Sequence, residues 1–217
     1  MKKVIILGGI GNGSVIAAAI QDANRRGHQE YEFAGYLNDR YNKNELIEGM
    51  PVLGKIKDAK RFANDGYYLV NTIYRIDGQQ ERIDLFESLN VPDSKLATFV
   101  HPFAYVAPRV NLGAGCVVMP NASISPGCSF GKCCLIMTGA SVGHNTTIGD
   151  HCHFAAQSCI SSFVHVNNGV HVGLNATIRE KITLGTNSAV GMGAVLINDI
   201  SDNEIWVGNP AKFLRKT

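Results

Sequence analysis

Between residues 144 and 171 the chain places five histidines, His144, His151, His153, His165 and His171. Imidazole, with an ordinary pKa of about 6.5, takes up and gives back a proton near neutral pH, so each is a candidate base or metal ligand. His144 is the sharpest of them. It lies two residues after Val142, between Gly143 and Asn145, at a corner of the repeat described below, where its ring is expected to face a groove and accept a proton from an attacking amine or hydroxyl. His153 and His171 differ by eighteen positions. If the chain winds with that period they stack about 4.8 Å apart, the spacing of neighbouring strands. No third ligand falls in the same column, so no metal is expected and a metal-dependent hydratase is the weaker reading.

A second constellation opens the chain. Gly8-Gly9-Ile10-Gly11-Asn12-Gly13 follows the apolar run Val4 to Leu7 and precedes a helical pattern. Unpaired N–H groups and the helix dipole favour an anion at such a loop, so a phosphate is expected there, with Gly11, Asn12 and Gly13 nearest to it. The spacing is not that of the dinucleotide fingerprint, which argues against a nicotinamide cofactor. Asn38 and Asp39 end the second apolar run, at the sheet edge where a base or ribose is commonly held. A tight turn with solvated polar residues is the plainer alternative for both features.

What positions the histidines is a beat of six. Every sixth residue from Val106 to Leu196 is large and apolar, including Val118, Ile136, Val142, Ile148, Phe154, Ile160 and Val172. The residue two places earlier is nearly always small, as at Cys116, Ala122, Cys128, Ala140 and Ala176. In a chain with 45% apolar residues, sixteen successive hits would arise by chance on the order of a few times per million, so the pattern is structural. Six matches neither a helix nor a simple alternating strand, but it suits a three-sided prism of short strands, three hexads to a coil. Gly113, Gly131, Gly143, Gly149, Gly173, Gly185 and Gly191 follow the large position, where backbone freedom is the expected reason for them.

Residues 1–100 have a different pattern. Short apolar runs at Val4 to Leu7, Tyr31 to Leu37, Tyr68 to Ile73 and Leu96 to Val100 alternate with helical segments at Ser14 to Arg26, Lys57 to Asn64 and Gln79 to Leu89. This predicts a small parallel, Rossmann-like α/β domain over 1–100. A coiled domain over 101–217 follows, ending near Ile197 and closed by Ile205 to Lys212. A formal charge of +2 over 217 residues gives no reason to expect nucleic acid. No apolar run approaches the roughly eighteen residues of a membrane span. Of six cysteines, Cys116, Cys128, Cys134 and Cys152 sit on the small position, where a thiol packs as a compact apolar group. With no C-x-x-C pair, a reduced, cytoplasmic protein is expected.

These residues resemble a specific family, the NeuD/PglD-type bacterial sugar acyltransferases of the hexapeptide-repeat, left-handed parallel β-helix class. The likeness rests on the Gly8 to Gly13 loop, Leu37-Asn38-Asp39, Gly49-Met50-Pro51-Val52-Leu53-Gly54, the hexads, Val142-Gly143-His144-Asn145, Ile148-Gly149-Asp150 and Val207-Gly208-Asn209-Pro210-Ala211-Lys212. The hand of the coil is taken from it alone. The resemblance implies an acetyl-CoA-dependent acetyltransferase acting on a nucleotide-linked amino sugar, with N-acetylation of a 4-amino sugar as the first expectation. O-acetylation of a sialic acid or related hydroxyl, or a non-catalytic nucleotide-sugar-binding trimer, are the alternatives. It implies His144 as general base beside Asn145, where such proteins often carry an acidic residue, and His153, Ser162, Leu174 and Met192 along acetyl-CoA. Gly11, Asn12, Gly13, Asn38 and Asp39 would hold the nucleotide. The implied assembly is a homotrimer with active sites between subunits.

Overall fold

The computed structural model describes all residues, 1–217. The front region is a five-stranded sheet of β1 (Lys2–Leu7), β2 (Tyr31–Leu37), β3 (Leu46–Ile47), β4 (Met50–Gly54) and β5 (Tyr68–Asn71), in the order β3-β4-β2-β1-β5. Helices α1 (Asn12–Arg25), α2 (Ala59–Asn64) and α3 (Gln79–Ser88) connect or flank these strands. β1 pairs parallel with both β2 and β5, as a βαβ series requires.

Two expectations about this region are corrected. β3 and β4 form an antiparallel hairpin that the apolar-run analysis did not resolve. Its turn is Glu48-Gly49, both at positive φ, the two-residue geometry that matches the twist of paired strands. The strand expected over Leu96 to Val100 shortens to Phe99–Val100 and pairs parallel with Val117–Val118 on the prism, leaving only a single Leu69–Leu96 bridge to the front sheet.

From there the chain winds as a prism with two-residue strands on three faces. The first face carries Tyr105–Val106, Ser123–Ile124, Ser141–Val142, Cys159–Ile160, Thr177–Ile178 and Val195–Leu196. The second carries Asn111–Leu112, Ser129–Phe130, Thr147–Ile148, His165–Val166 and Thr183–Leu184. The third runs from Phe99–Val100 through Leu135–Ile136, His153–Phe154, His171–Val172 and Ala189–Val190 to the closing strands Glu204–Val207 and Lys212–Lys216. From Phe99 to Leu196 each strand pairs in parallel with the one eighteen residues on, for example Ser141 with Cys159 and His153 with His171; at the closing end Ala189 pairs with Ile205, sixteen residues on, and the last two strands pair antiparallel. The large and small positions of the hexad meet inside, in one cluster that includes Val118, Ile136, Phe154, Val172, Cys134 and Ala176.

The expected role of the glycines is also corrected. None of the seven after the large position has positive φ. They are required because coils approach backbone to backbone: a Cβ on Gly143 would lie 2.7 Å from Ser162 N, and one on Gly149 would lie 2.9 Å from Asn168 N. Backbone freedom is needed two residues later, where every sixth residue from Arg109 to Gly193 has φ between 54° and 77°. Asn121, Asn145, Asn175 and Asn187 occupy that position, and asparagine tolerates the left-handed region better than most residues.

Buried thiols stitch the coils together. Cys116, Cys128, Cys134 and Cys152 each donate to a carbonyl fifteen residues on at 3.1 Å, and the Thr146 hydroxyl does the same at 3.0 Å. All six cysteines are free, and Cys159 alone is exposed.

The front region seats on the third face. Val117, Met119, Leu135 and Met137 point outward there and join one apolar cluster with Val4, Ile6, Ile16 and Ile20. α3 is tied to the neighbouring corner: Glu87 meets His151 Nε2 at 2.9 Å and Lys132 Nζ at 2.8 Å, and Asn187 Nδ2 donates to Gln80 Oε1 at 2.8 Å. Burial opposes the Glu87 charge, yet the hydrogen bonds from Lys132 and His151 hold its carboxyl below the usual range. No helix is long and apolar enough to cross a membrane.

Gly149→Ala is expected to lower unfolding stability by about 1–3 kcal/mol, since the added methyl meets backbone that has no room to move. Gly193→Asn, with nothing within 4 Å and a residue type suited to its φ, is expected to cost about 0.5 kcal/mol or less. Urea denaturation of the two variants checks the contrast; equal losses would contradict the coil-contact account.

Candidate active site

His144 stands on the corner between the first and second faces, after Ser141–Val142 and before Thr147–Ile148. Gly143 lets the next coil close over it, and Asn145 turns the chain at φ 58°. The ring is exposed and rests edge-on to Phe163 of the coil above, 5.0 Å between centroids at 83°. Its Nδ1 lies 2.9 Å from Asn145 Oδ1. A carbonyl oxygen only accepts, so the proton sits on Nδ1 and the Nε2 lone pair is left free to take a proton. Asn145 thereby fixes the tautomer without adding charge. Ser162, eighteen residues after His144, sits on this same corner.

His153, Leu174 and Met192 are elsewhere, on the third face and on the corner between the third and first faces. They line a cavity of about 620 Å³ together with Asn12 and Val15 from α1, Ile76 and Asp77 from the loop between β5 and α3, and Arg215. The sequence-predicted cofactor residues therefore divide, Ser162 with His144 and the other three with the cavity. The two groups border the first face from opposite edges. Leu174 is 47% and Met192 77% exposed at the open side.

The cavity wall joins His153 and Asn12, assigned from the sequence, to polar groups that were not. The His153 and His171 rings lie nearly parallel and edge to edge, with centroids 5.0 Å apart at 6° and Nδ1 to Nδ1 at 2.9 Å. Tyr74 covers both rings, at 4.6 Å and 5.2 Å; its hydroxyl is buried with no partner. His153 Nε2 lies 3.2 Å from Asn12 Nδ2. Burial, then the neighbouring His171, pushes His153 down to about 3, and burial pushes His171 down to about 4. Both rings are neutral at physiological pH. Asp77 and Arg215 form a bidentate pair at 2.8 Å and 2.9 Å that joins the 73–78 loop to the last strand. The eighteen-residue spacing marked the His pair; nothing in the sequence marked Tyr74 or Asp77. No group of three histidine, cysteine, aspartate or glutamate side chains is placed to hold a metal.

At the glycine loop, Gly8 and Gly11 have φ of 140° and 103°. Gly8 N donates to Leu37 O, and Ser14 N to Gly9 O. The N–H groups of Gly9, Ile10, Asn12 and Gly13 have no acceptor in the chain. Asn38 Nδ2 holds the loop through Gly8 O at 2.9 Å, and its Oδ1 accepts from Arg40 N. Asp39 Oδ1 accepts from Ile56 N at 2.9 Å. These two side chains thus shape the loop and the neighbouring turn.

Residues 127–162 match the bacterial transferase hexapeptide family model, described as six repeats. With the three-faced prism and whole-chain likenesses to solved acetyltransferases, this defines an acyltransferase of the hexapeptide-repeat, left-handed β-helix class, bearing out the resemblance read from the sequence. Perosamine N-acetyltransferase from Caulobacter crescentus, solved as a mutant with CoA and GDP-perosamine, is similar over 100% of this chain and 98% of its own, at 26% identity and a TM-score of 0.84. The acetyltransferase domain of PglB from Neisseria gonorrhoeae is similar over 99% and 100%, at 25% identity and 0.83. WeeI from Acinetobacter baumannii shares the fold over 99% and 100%, at 20% identity and 0.80. No curated protein matches the sequence.

The histidine pair links stability to pH. An unfolded histidine binds its proton near its ordinary value of about 6.5, whereas the folded pair resists protonation until about 4 and about 3. The unfolded state therefore binds more protons in between, so this contribution is complete above about 6.5 and is lost as pH falls towards 4. Urea midpoints are expected to drop from pH 7.5 to 5.0 in the native chain and less steeply in a His153→Gln, His171→Gln double variant. Parallel slopes would contradict the assignment.

Proposed function

We propose that the chain transfers an acetyl group from acetyl-CoA to the amine of a nucleotide-linked 4-amino sugar, with His144 as general base. The observation that carries this is His144 Nε2, left free to accept by the Nδ1 contact to Asn145, on the edge of the face that the cavity borders from the other side. The similar perosamine N-acetyltransferase, solved with CoA and GDP-perosamine, supports the donor and the class of acceptor.

In this reading residues 1–100 hold the nucleotide. Its phosphates lie at the free N–H groups around Gly11, Asn12 and Gly13, on a loop shaped by Asn38 and Asp39. Residues 101–217 carry the transfer. The thioester arm lies along the cavity by His153, Leu174 and Met192, with Ser162 contributing from the His144 corner. His144 takes the proton as the sugar nitrogen attacks the acyl carbon, the C–S bond breaks, and the thiolate of CoA leaves; no covalent enzyme intermediate forms.

A histidine corner and a cavity on opposite edges of one face call for a second copy. Three chains closing on their first faces set the His144 corner of one against the cavity of the next, which is the homotrimer of this proposal. The outer residues of that face, Tyr105, Ser123, Ser141, Cys159, Thr177 and Val195, include no Lys, Arg, Asp or Glu, and depletion of such residues suits a packed interface.

Thiol release from acetyl-CoA, measured with a panel of nucleotide 4-amino sugars, is expected to show turnover that falls about 10²–10⁴-fold in His144→Ala. Undiminished turnover would remove the base. Mixing His144→Ala with a cavity-blocking Leu174→Trp chain, each inactive alone, is expected to restore activity in mixed trimers. A lack of recovery in trimers shown to be mixed would place the site within one chain, and a base-labile product would mean transfer to oxygen.

A further inference from the structure

The hydrogen-bond order of the cavity wall can be read from its one unambiguous donor. Asn12 Nδ2 has only hydrogens to offer, so His153 Nε2, 3.2 Å away, accepts. A neutral imidazole has a single N–H, which on His153 must then be at Nδ1. That N–H points to His171 Nδ1 at 2.9 Å, which accepts in turn. The proton of His171 is therefore on Nε2. This nitrogen has no partner in the chain, is not among the buried unpaired atoms, and belongs to a residue lining the cavity.

Both nitrogens of His153 are thus consumed by the protein, while His171 presents one outward N–H. The rings are held in plane by Tyr74 on one side and by each other. Burial keeps both neutral, so the donor does not switch over the physiological range. Around it the wall is largely apolar, with Met137, Ala155, Leu174 and Met192. An uncharged N–H in such a wall suits an uncharged acceptor, and the acyl-pantetheine arm carries carbonyl oxygens along its length.

We propose that His171 Nε2–H is the donor to a carbonyl oxygen of the bound acyl-pantetheine arm, and that Asn12 and His153 are positioning residues that set its proton. This rests on the acyl-thioester reading above. It moves the direct polar contact one coil along from His153, and it gives Asn12 a role apart from the nucleotide.

Calorimetry on the full chain with acetyl-CoA, alongside histidine ¹⁵N NMR, tests it. His171→Phe keeps an aromatic ring against Tyr74 and removes the N–H; its acetyl-CoA affinity is expected to fall about 10-fold. Asn12→Asp replaces the donor by an acceptor, so the order should reverse. His171 is expected to read as the Nε2–H tautomer in the native chain and as Nδ1–H in Asn12→Asp, a signature that a merely structural role would not move. Should His171→Phe fail to fold, the tautomers alone still decide. Native affinity retained in His171→Phe, or an Nδ1–H tautomer of His171 in the native chain, overturns this inference and leaves the donor reading standing. No acetyl-CoA binding by the native chain overturns both.

Discussion

The structure depends on how closely one coil lies on the next. With a glycine after the large residue of the hexad, backbone rests on backbone, and the N–H groups of the corner find side-chain acceptors eighteen residues on. Asp150 Oδ1 takes Lys132 N at 2.7 Å, and Asn168 Oδ1 takes Asp150 N at 2.8 Å. This contact admits only one vertical register. It sets Ser162 over His144 and His171 over His153, and it leaves the outward positions free to vary while the interior repeats.

A second constraint acts across the chain. The front sheet does not merge with the prism; it lies against it through outward apolar residues of the third face and is fastened by α3. The ties from Glu87 to His151 and Lys132 are partly buried, and removing one member would strand another group without a partner, so they fix orientation more than they add net stability. Their value is positional. They help seat Tyr74, in the loop before α3, over the histidine pair, while the apolar packing of α1 on the third face holds the glycine loop so that Asn12 reaches His153, more than a hundred residues away in sequence.

Much of this was legible because a six-residue period is stringent. The hexads from Val106 to Leu196 gave the faces, the interior and the stacking of His153 on His171. The glycines were located but explained wrongly, since spacing reveals where a small residue is needed and not whether sterics or torsion is the reason. The Glu48-Gly49 hairpin carried a signal, a two-residue turn between apolar pairs, that a search for longer runs passed over. Leu96 to Val100 reads as an ordinary strand by composition, and only its partner decides which sheet it joins. In the site, periodicity distinguished the corners, but the meeting of Asn12, Tyr74 and Asp77 with the prism depends on how two regions dock, which no local pattern encodes.

The uniform stacking interval also bears on how the prism assembles. From Phe99 to Leu196 every pairing closes a loop of the same short length, so the entropic cost of adding a coil is constant over that span, and no long-range closure has to precede the rest. A nucleus can form at any coil and extend to its neighbours like a zip fastener. The slow event is then expected to be the seating of the front sheet, whose contacts span the greatest distances in the sequence.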